Sequence, residues 1–258
     1  MNGRERRLVA LVTGGSRGIG AAAARALGAR GYAVALTYRE KAARAAGVVA
    51  DIEREGGRAL ALGGDITQPA DVARLYAAVA AWGGRLDALI LNASGGLERA
   101  ALAANPDYPL RINRDAQITL LDGALPLLAA GATVVLVTSH WAHLYGRVTQ
   151  LPNYEPIAAS KFAGEAALRA RQAEMAGRGV RLLIVTGDLI EGTITPRLLE
   201  RKAPGMTGAR RARLGALPTA ADMGAAIAAA VADASLPSGH IIVIGGTLEA
   251  LLAARADE

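Results

Sequence analysis

The strongest constraint on the fold is the alternation of short apolar runs with longer helical patterns along the 258-residue chain. The apolar runs have the length of β-strands, and the segments between them repeat apolar residues at helical spacing. Strands are predicted at 8–13, 33–38, 58–62, 87–91, 133–138, 181–186 and 240–245, and helices at about 19–30, 41–55, 69–82, 109–130, 154–177 and 219–233. Near-continuous apolar strands alternating with helices are typical of a parallel sheet covered on both faces. The sequence therefore predicts a doubly wound α/β fold with a seven-stranded parallel sheet.

The position of function follows from that topology, because ligands of such sheets bind beyond the carboxyl ends of the strands. One domain is expected across residues 1–258. The stretch after the sixth strand, about 187–217, contains Pro196 and Pro204 and is predicted to be a long irregular loop that serves as a substrate lid.

Composition narrows the possible functions. The chain has no cysteine and three histidines, so neither a disulfide nor a metal site is expected. It has no long apolar stretch and no signal-peptide pattern, which predicts a cytoplasmic protein without a membrane span. The formal net charge is +6, and the segment from Thr193 to Leu217 alone carries +5, because only Glu200 opposes six cations: Arg197, Arg201, Lys202, Arg210, Arg211 and Arg213. Without interleaved aromatic residues this charge does not indicate nucleic-acid binding. Two interpretations remain open: a solvated surface, or a landing site for an anionic substrate or its carrier.

The segment TGGSRGIG, residues 13–20, directly follows the first strand and opens the first helix. Gly14, Gly18 and Gly20 allow the backbone to turn tightly and approach a pyrophosphate, whose charge meets the free amides of the helix N-terminus. This loop in its strand–helix context predicts a dinucleotide site of the Rossmann type.

The end of the second strand discriminates between the nicotinamide cofactors. An acid there would bind the ribose 2′-hydroxyl, but this chain has Tyr38 followed by Arg39, and Arg17 lies in the glycine loop. Two guanidinium groups suit a 2′-phosphate, so NADPH/NADP+ is predicted. The alternative is that Arg39 only solvates the strand end and that both cofactors bind.

The glycine spacing resembles that of the short-chain dehydrogenase/reductase superfamily, and the resemblance covers the whole chain. It includes Asp65 in GGDIT, NASG at 92–95, Asn113, Lys161 and VIGG near the C-terminus, with Ser139 after the fifth strand. Together, the glycine loop, the second-strand end and this resemblance imply a cofactor site formed by Gly14, Ser16, Arg17, Gly18, Ile19, Gly20, Tyr38, Arg39, Asp65, Ile66, Asn92, Ala93, Ser94, Lys161 and Thr193. The resemblance also implies a homodimer or homotetramer formed through helices 109–130 and 154–177.

Members of this superfamily reduce carbonyls with a tyrosine that gives the proton, a lysine that lowers its pKa, a serine that orients the substrate and an asparagine that supports a water relay. Lys161, Ser139 and Asn113 match three of these positions, whereas Ile157 stands where the tyrosine is usual. Tyr154 precedes Lys161 with six residues between them, a spacing that resembles the NADPH-dependent enoyl-acyl carrier protein reductases. At ~1.5 Å per residue, Tyr154 would lie about 4.5 Å along the helix axis from position 157.

Several interpretations of the missing tyrosine remain open. Tyr154 is either the displaced acid or a packing residue at a helix start, and Tyr145, His143, water or the substrate are alternative proton donors. A serine-hydrolase function is excluded because no G-x-S-x-G turn surrounds Ser139. The first hypothesis is an NADPH-dependent reductase of an activated double bond, an enoyl thioester or enone, carried on CoA or acyl carrier protein. The alternatives are a ketoreductase of a polyketide-like carbonyl and an inactive NADP(H)-binding protein.

Overall fold

A computed structural model describes residues 7–97, 99–151 and 153–253. Its sheet has the order β3-β2-β1-β4-β5-β6-β7, and all neighbouring strands are parallel. The strands are β1 (Val9–Val12), β2 (Ala33–Tyr38), β3 (Arg58–Gly63), β4 (Leu86–Leu91), β5 (Leu128–Ser139), β6 (Arg181–Gly187) and β7 (Ile241–Ile244). The predicted seven-stranded doubly wound sheet is confirmed.

Helices cover both faces of this sheet. They are α1 (Gly18–Ala29), α2 (Ala42–Arg54), α3 (Pro69–Gly83), α4 (Arg99–Ala104), α5 (Tyr108–Leu110), α6 (Ala116–Ala124), α7 (His140–His143), α8 (Glu155–Ala170), α9 (Gln172–Gly177), α10 (Ile194–Lys202), α11 (Met206–Leu214), α12 (Ala220–Ala232) and α13 (Leu248–Ala253). Within the described ranges, none of these helices is long and apolar enough to cross a membrane.

The strands are buried because their side chains alternate between two apolar layers. Leu11, Leu89 and Val134 face one layer, while Val12 and Ile90 face the other, and all are almost completely buried. Burial of one such side chain stabilises a fold by roughly 1.5–3 kcal/mol. The sheet is therefore the core of the fold, and its carboxyl edge carries the residues that follow each strand.

The predicted helix at 109–130 is wrong in its continuity and its end. A π turn at Arg111–Asp115 separates α5 from α6, and α6 ends at Ala124. Pro126 has no N–H to continue the helical hydrogen bonds, so the chain turns there. It is already extended at Leu128, which pairs with Leu86.

The segment after β6 also differs from the prediction of an irregular loop, because it contains α10 and α11. Arg210 on α11 forms an ion pair with Asp188, and the exposed fractions of the two side chains are 10% and 0%. Arg211 pairs with Glu191, and Arg213 donates to the carbonyl of Ala250. Each of these three arginines is therefore engaged within the protein, and an anion-landing role for the segment stays a prediction.

Candidate active site

The glycine loop is held against the end of β4 by hydrogen bonds. The hydroxyl of Thr13 donates to the carbonyl of Ile90 at 3.1 Å and accepts from the amides of Asn92 and Ala93. The side-chain amide of Asn92 donates to the carbonyl of Thr13 at 2.9 Å. These contacts join the first and fourth strand ends into one surface, as the topology requires for a nucleotide site.

Two glycines of the loop could not be replaced without strain. Gly14 has φ of +67°, and a Cβ at Gly20 would lie 2.4 Å from the carbonyl oxygen of Gly14. The loop can therefore be this tight only with glycine, and its close backbone approach fits the pyrophosphate of a dinucleotide.

A cavity of about 310 Å³ extends from this loop over the ends of β2, β3 and β4. All residues predicted to bind the cofactor border it except Gly20, which is buried beneath the loop, and Lys161, which borders a second cavity. Asp65 is held in place because its Oδ1 accepts from the amide and hydroxyl of Thr67 at 2.9 and 2.8 Å. The residues present fit a dinucleotide lying across the strand ends.

Cations collect where the cavity reaches the end of β2. Arg39 donates to the hydroxyl of Tyr108 at 3.0 Å across the cavity and also pairs with Glu40. Sequence analysis missed Lys41 and Arg44, which border the same end of the cavity. The sequence feature that could have indicated these two residues is the group of cations in YREKAARA at the start of α2.

Tyr154 immediately precedes α8, and its side chain is 4% exposed. Asn153 adopts φ of +59°, a left-handed conformation that asparagine tolerates better than most residues. The amide of Tyr154 then donates to the carbonyl of Leu151 at 3.0 Å. Pro152 of the PNY segment lies outside the described residues. This turn directs the tyrosine side chain inward at the helix start.

The hydroxyls of Tyr154 and Ser139 are 3.0 Å apart. Ser139 ends β5, and its Oγ also accepts from the amide of Ala142 at 3.2 Å, which caps the short helix α7. Burial raises the pKa of Tyr154 above its ordinary value, and the bond to Ser139 lowers it by less. Tyr154 therefore holds its proton at neutral pH.

Lys161 shares a second cavity, of about 640 Å³, with Tyr154 and Ile157. Lys161 is half-buried, and burial lowers its pKa to about 8. Its ammonium has no hydrogen-bond or carboxylate partner within the part of the chain that the structure describes. Ile157 is 4% exposed and forms an apolar wall beside the tyrosine. The site thus combines a neutral acid, a cation and a water-excluding surface.

Asn113 lies in the π turn rather than on the cavity wall. Its Nδ2 donates at 2.9 Å both to the carbonyl of Gly95 and to the hydroxyl of Ser160. The backbone of Gly164 packs so closely here that a Cβ would lie 2.0 Å from the carbonyl oxygen of Asn113. The side chain of Asn113 therefore fixes α8 against the loop after β4, and its predicted part in a water relay stays a prediction.

The two histidines of α7, of which His143 is an alternative proton donor, are engaged elsewhere. Nε2 of His140 donates to the carbonyl of Gly245 at 2.6 Å, Nδ1 accepts from the hydroxyl of Thr186 at 2.9 Å, and burial lowers the pKa of His140. Nδ1 of His143 lies 2.8 Å from the carboxylate of Glu165.

Tyr145 packs on Phe162, with ring centroids 5.9 Å apart, and donates to Glu155 at 3.4 Å. Neither Tyr145 nor the two histidines border the cavity that contains Lys161.

Comparison with known proteins gives a family match over residues 8–202, to the model described as short chain dehydrogenase. The chain is 32% identical over 190 residues to 1-cyclohexenylcarbonyl-CoA reductase of Streptomyces collinus, covering 72% of this chain and 66% of that protein. It is 32% identical over 160 residues to a tetrahydroxynaphthalene reductase of Pestalotiopsis fici, covering 61% of this chain and 56% of that protein. The alignments therefore span less than two thirds of the length of these curated relatives.

A solved structure is similar over nearly the whole chain. It is a short chain dehydrogenase from Burkholderia cenocepacia in complex with NADP, 32% identical, with a TM-score of 0.81. The alignment covers 95% of this chain and 100% of that one.

Proposed function

The chain belongs to the short-chain dehydrogenase family, and we propose that it is an NADPH-dependent reductase of an activated carbon–carbon double bond, most simply an enoyl thioester or enone. Family membership confirms the predicted oxidoreductase class. The observation that carries the finer proposal is the position of Tyr154, whose hydroxyl meets Ser139 while Ile157 fills the usual tyrosine position.

The cofactor assignment rests on charge at the end of β2. Arg39, Lys41 and Arg44 border the cavity there, Arg17 borders it from the glycine loop, and Glu40 and Asp65 are the acids of its described wall. Such a surplus of cations attracts a 2′-phosphate, which NADPH carries and NADH lacks. The related Burkholderia cenocepacia structure, with bound NADP, supports the same choice.

The proposed reaction divides between cofactor and protein. The bound nicotinamide would supply a hydride to the β-carbon of the substrate. Ser139 accepts from the amide of Ala142, so its own proton can point to Tyr154 and leave the tyrosine proton free for the substrate oxygen. The Lys161 ammonium stabilises negative charge that develops on that oxygen, and the low polarity of the Ile157 wall strengthens this interaction. The raised pKa of Tyr154 keeps the proton available.

Carbonyl reduction is the second candidate, because the same pair of hydroxyls is compatible with it. Hydroxyls 3.0 Å apart on Ser139 and Tyr154 would allow both groups to bond one carbonyl oxygen. The similarity to a tetrahydroxynaphthalene reductase fits this candidate, whereas the similarity to 1-cyclohexenylcarbonyl-CoA reductase fits the first.

Kinetics with crotonyl-CoA and acetoacetyl-CoA test the proposal. Tyr154→Phe is expected to lower the rate on crotonyl-CoA by about 10²–10⁴-fold, since the hydroxyl acts on charge that develops in the transition state, with little change in NADPH affinity. Tyr145→Phe is the matched control and should be neutral, because that ring lies outside the cavity.

Ile157→Tyr separates the candidates further. An enoyl reductase should gain nothing on crotonyl-CoA, because the new hydroxyl is one turn from the enolate oxygen, whereas a ketoreductase should gain activity on acetoacetyl-CoA. Near-normal turnover of Tyr154→Phe would refute the assignment of the acid. Absence of turnover in every form, with NADPH still bound, would favour a binding protein.

A further inference from the structure

The second cavity has an apolar wall and a basic rim. Leu97, Ile157, Ile194 and Leu198 form much of the wall, and Ile194 is 40% exposed. Tyr154 and Lys161 also line this cavity. An apolar chain attached to the reacting group would therefore cover α10.

The basic rim is formed by the end of the same helix. Arg201 and Lys202 follow Ile194 by seven and eight residues, so they lie on its face of α10 and about 10–12 Å farther along the axis. Both border the cavity, whereas Arg197 on the same helix does not. The helix thus presents an apolar start and a cationic end to one space.

These two cations have no carboxylate partner within residues 7–97, 99–151 and 153–253, unlike Arg210 and Arg211 of the next helix. Arg17 and Lys161 also border the cavity, and no acidic residue does so in the described part of its wall. Unpaired cations around a space without acids create a positive potential that attracts anions. The charge of the segment after β6 is therefore divided between engaged arginines on α11 and available cations on α10.

We propose that Arg201 and Lys202 form a subsite for phosphate on the substrate's carrier, which makes a phosphorylated pantetheine thioester the substrate class. This inference rests on the proposed function, because the acyl group must reach Tyr154 when the carrier contacts the rim. The acyl group occupies the apolar wall, and the pantetheine arm leads along α10 to the two cations. A guanidinium beside an ammonium suits phosphate oxygens, which accept charge-assisted hydrogen bonds from both.

Steady-state kinetics with crotonyl-CoA and the uncharged crotonyl-pantetheine test the subsite. The double variant Arg201→Gln/Lys202→Gln is expected to raise KM for crotonyl-CoA by about tenfold or more, since charged hydrogen bonds are lost. Its kcat, and its KM for crotonyl-pantetheine, should stay close to wild type. Arg197→Gln is the matched control and should change neither substrate. Equal effects of the double variant on both substrates would overturn the proposal.

Equilibrium binding keeps the test independent of turnover. Calorimetric titration of the NADP+-loaded protein with CoA and with pantetheine should show tighter binding of CoA, an advantage lost in the double variant and reduced by added salt. Equal binding of CoA and pantetheine would overturn the subsite. Tight CoA binding without reduction of either thioester would instead refute the proposed function and leave the subsite standing.

Crotonyl-4′-phosphopantetheine identifies the phosphate that binds. If its KM matches that of crotonyl-CoA and rises equally in the double variant, the phosphate next to the pantetheine arm is recognised, as on a carrier protein. If only crotonyl-CoA responds to the double variant, the phosphates of the nucleotide portion are recognised. Both results support a phosphate subsite, and a response of neither substrate would refute it.

Discussion

Lys161 is expected to lower the stability of the fold that places it in the site. Burial lowers its pKa from 10.5 to about 8, and a tenfold change in proton affinity corresponds to about 1.4 kcal/mol. Keeping the ammonium charged at neutral pH therefore costs up to about 3 kcal/mol relative to the unfolded chain. Lys161→Met keeps an unbranched side chain and removes the charge. It should raise the free energy of unfolding by up to that amount, or Tm by roughly 6–12 °C at about 2–4 °C per kcal/mol.

The gain in the free energy of unfolding from Lys161→Met should decrease as pH rises. Because the pKa of Lys161 is lower in the folded state, the unfolded chain binds more protons between pH of about 8 and 10.5. Wild-type stability therefore rises relative to the variant as pH increases across this window. The advantage of Lys161→Met is complete below the folded pKa and is lost above the unfolded one.

Urea unfolding of the cofactor-free proteins at neutral pH and at pH about 10 measures this difference. Lys41→Met is the control, since Lys41 is exposed and its replacement should change stability by no more than about 0.5 kcal/mol. A Lys161→Met protein that is no more stable than wild type at neutral pH would refute the reasoning. So would a gain that does not diminish at high pH.

Three further predictions concern cofactor binding, the ion pair that Arg210 of α11 forms with Asp188, and the packing of α8. Arg39→Asp should weaken NADPH by at least about tenfold and NADH far less, because it removes a charged contact to the 2′-phosphate; fluorescence titration measures both, and equal wild-type affinities would contradict it. Arg210→Met should cost about 3–5 kcal/mol in urea unfolding, because Asp188 remains buried without its partner, and a loss below 1 kcal/mol would mean that the pair is solvated. Gly164→Ala should cost about 1–3 kcal/mol through overpacking against Asn113, whereas Gly177→Ala, where a Cβ meets open space, should be neutral or slightly stabilising; equal thermal stability of the two variants would refute the close contact.

The strands and the cofactor loop were predictable because their signals are local. A buried parallel strand such as β6 is a continuous apolar run, and the glycine loop needs its glycines for backbone reasons at those positions. The π turn at Arg111–Asp115 was not predictable, since its apolar spacing is close to that of an α-helix. Within this turn Asn113 bonds Ser160 of α8, a tertiary contact that no local pattern records.

The roles of the charged residues in the segment after β6 also depend on tertiary contacts that the sequence does not reveal. Sequence alone could count six cations there, but it could not distinguish Arg210 from Arg201. The difference depends on Asp188, which lies 22 residues from Arg210 and forms a buried pair with it. The role of an exposed cation therefore follows from the acids that the fold brings near it.

The isoleucine at position 157 is best understood together with Tyr154 and Ser139. A chain that had only lost its acid would keep the bond from the Ala142 amide to the hydroxyl of Ser139 but would have no second hydroxyl beside it. Here Ser139 meets the hydroxyl of Tyr154 at 3.0 Å, and Ile157 packs as an apolar residue with 4% exposure. A tyrosine at 157 would need its own polar partner in that place. The three residues thus form one consistent arrangement, which supports displacement of the proton donor by one helical turn rather than its loss.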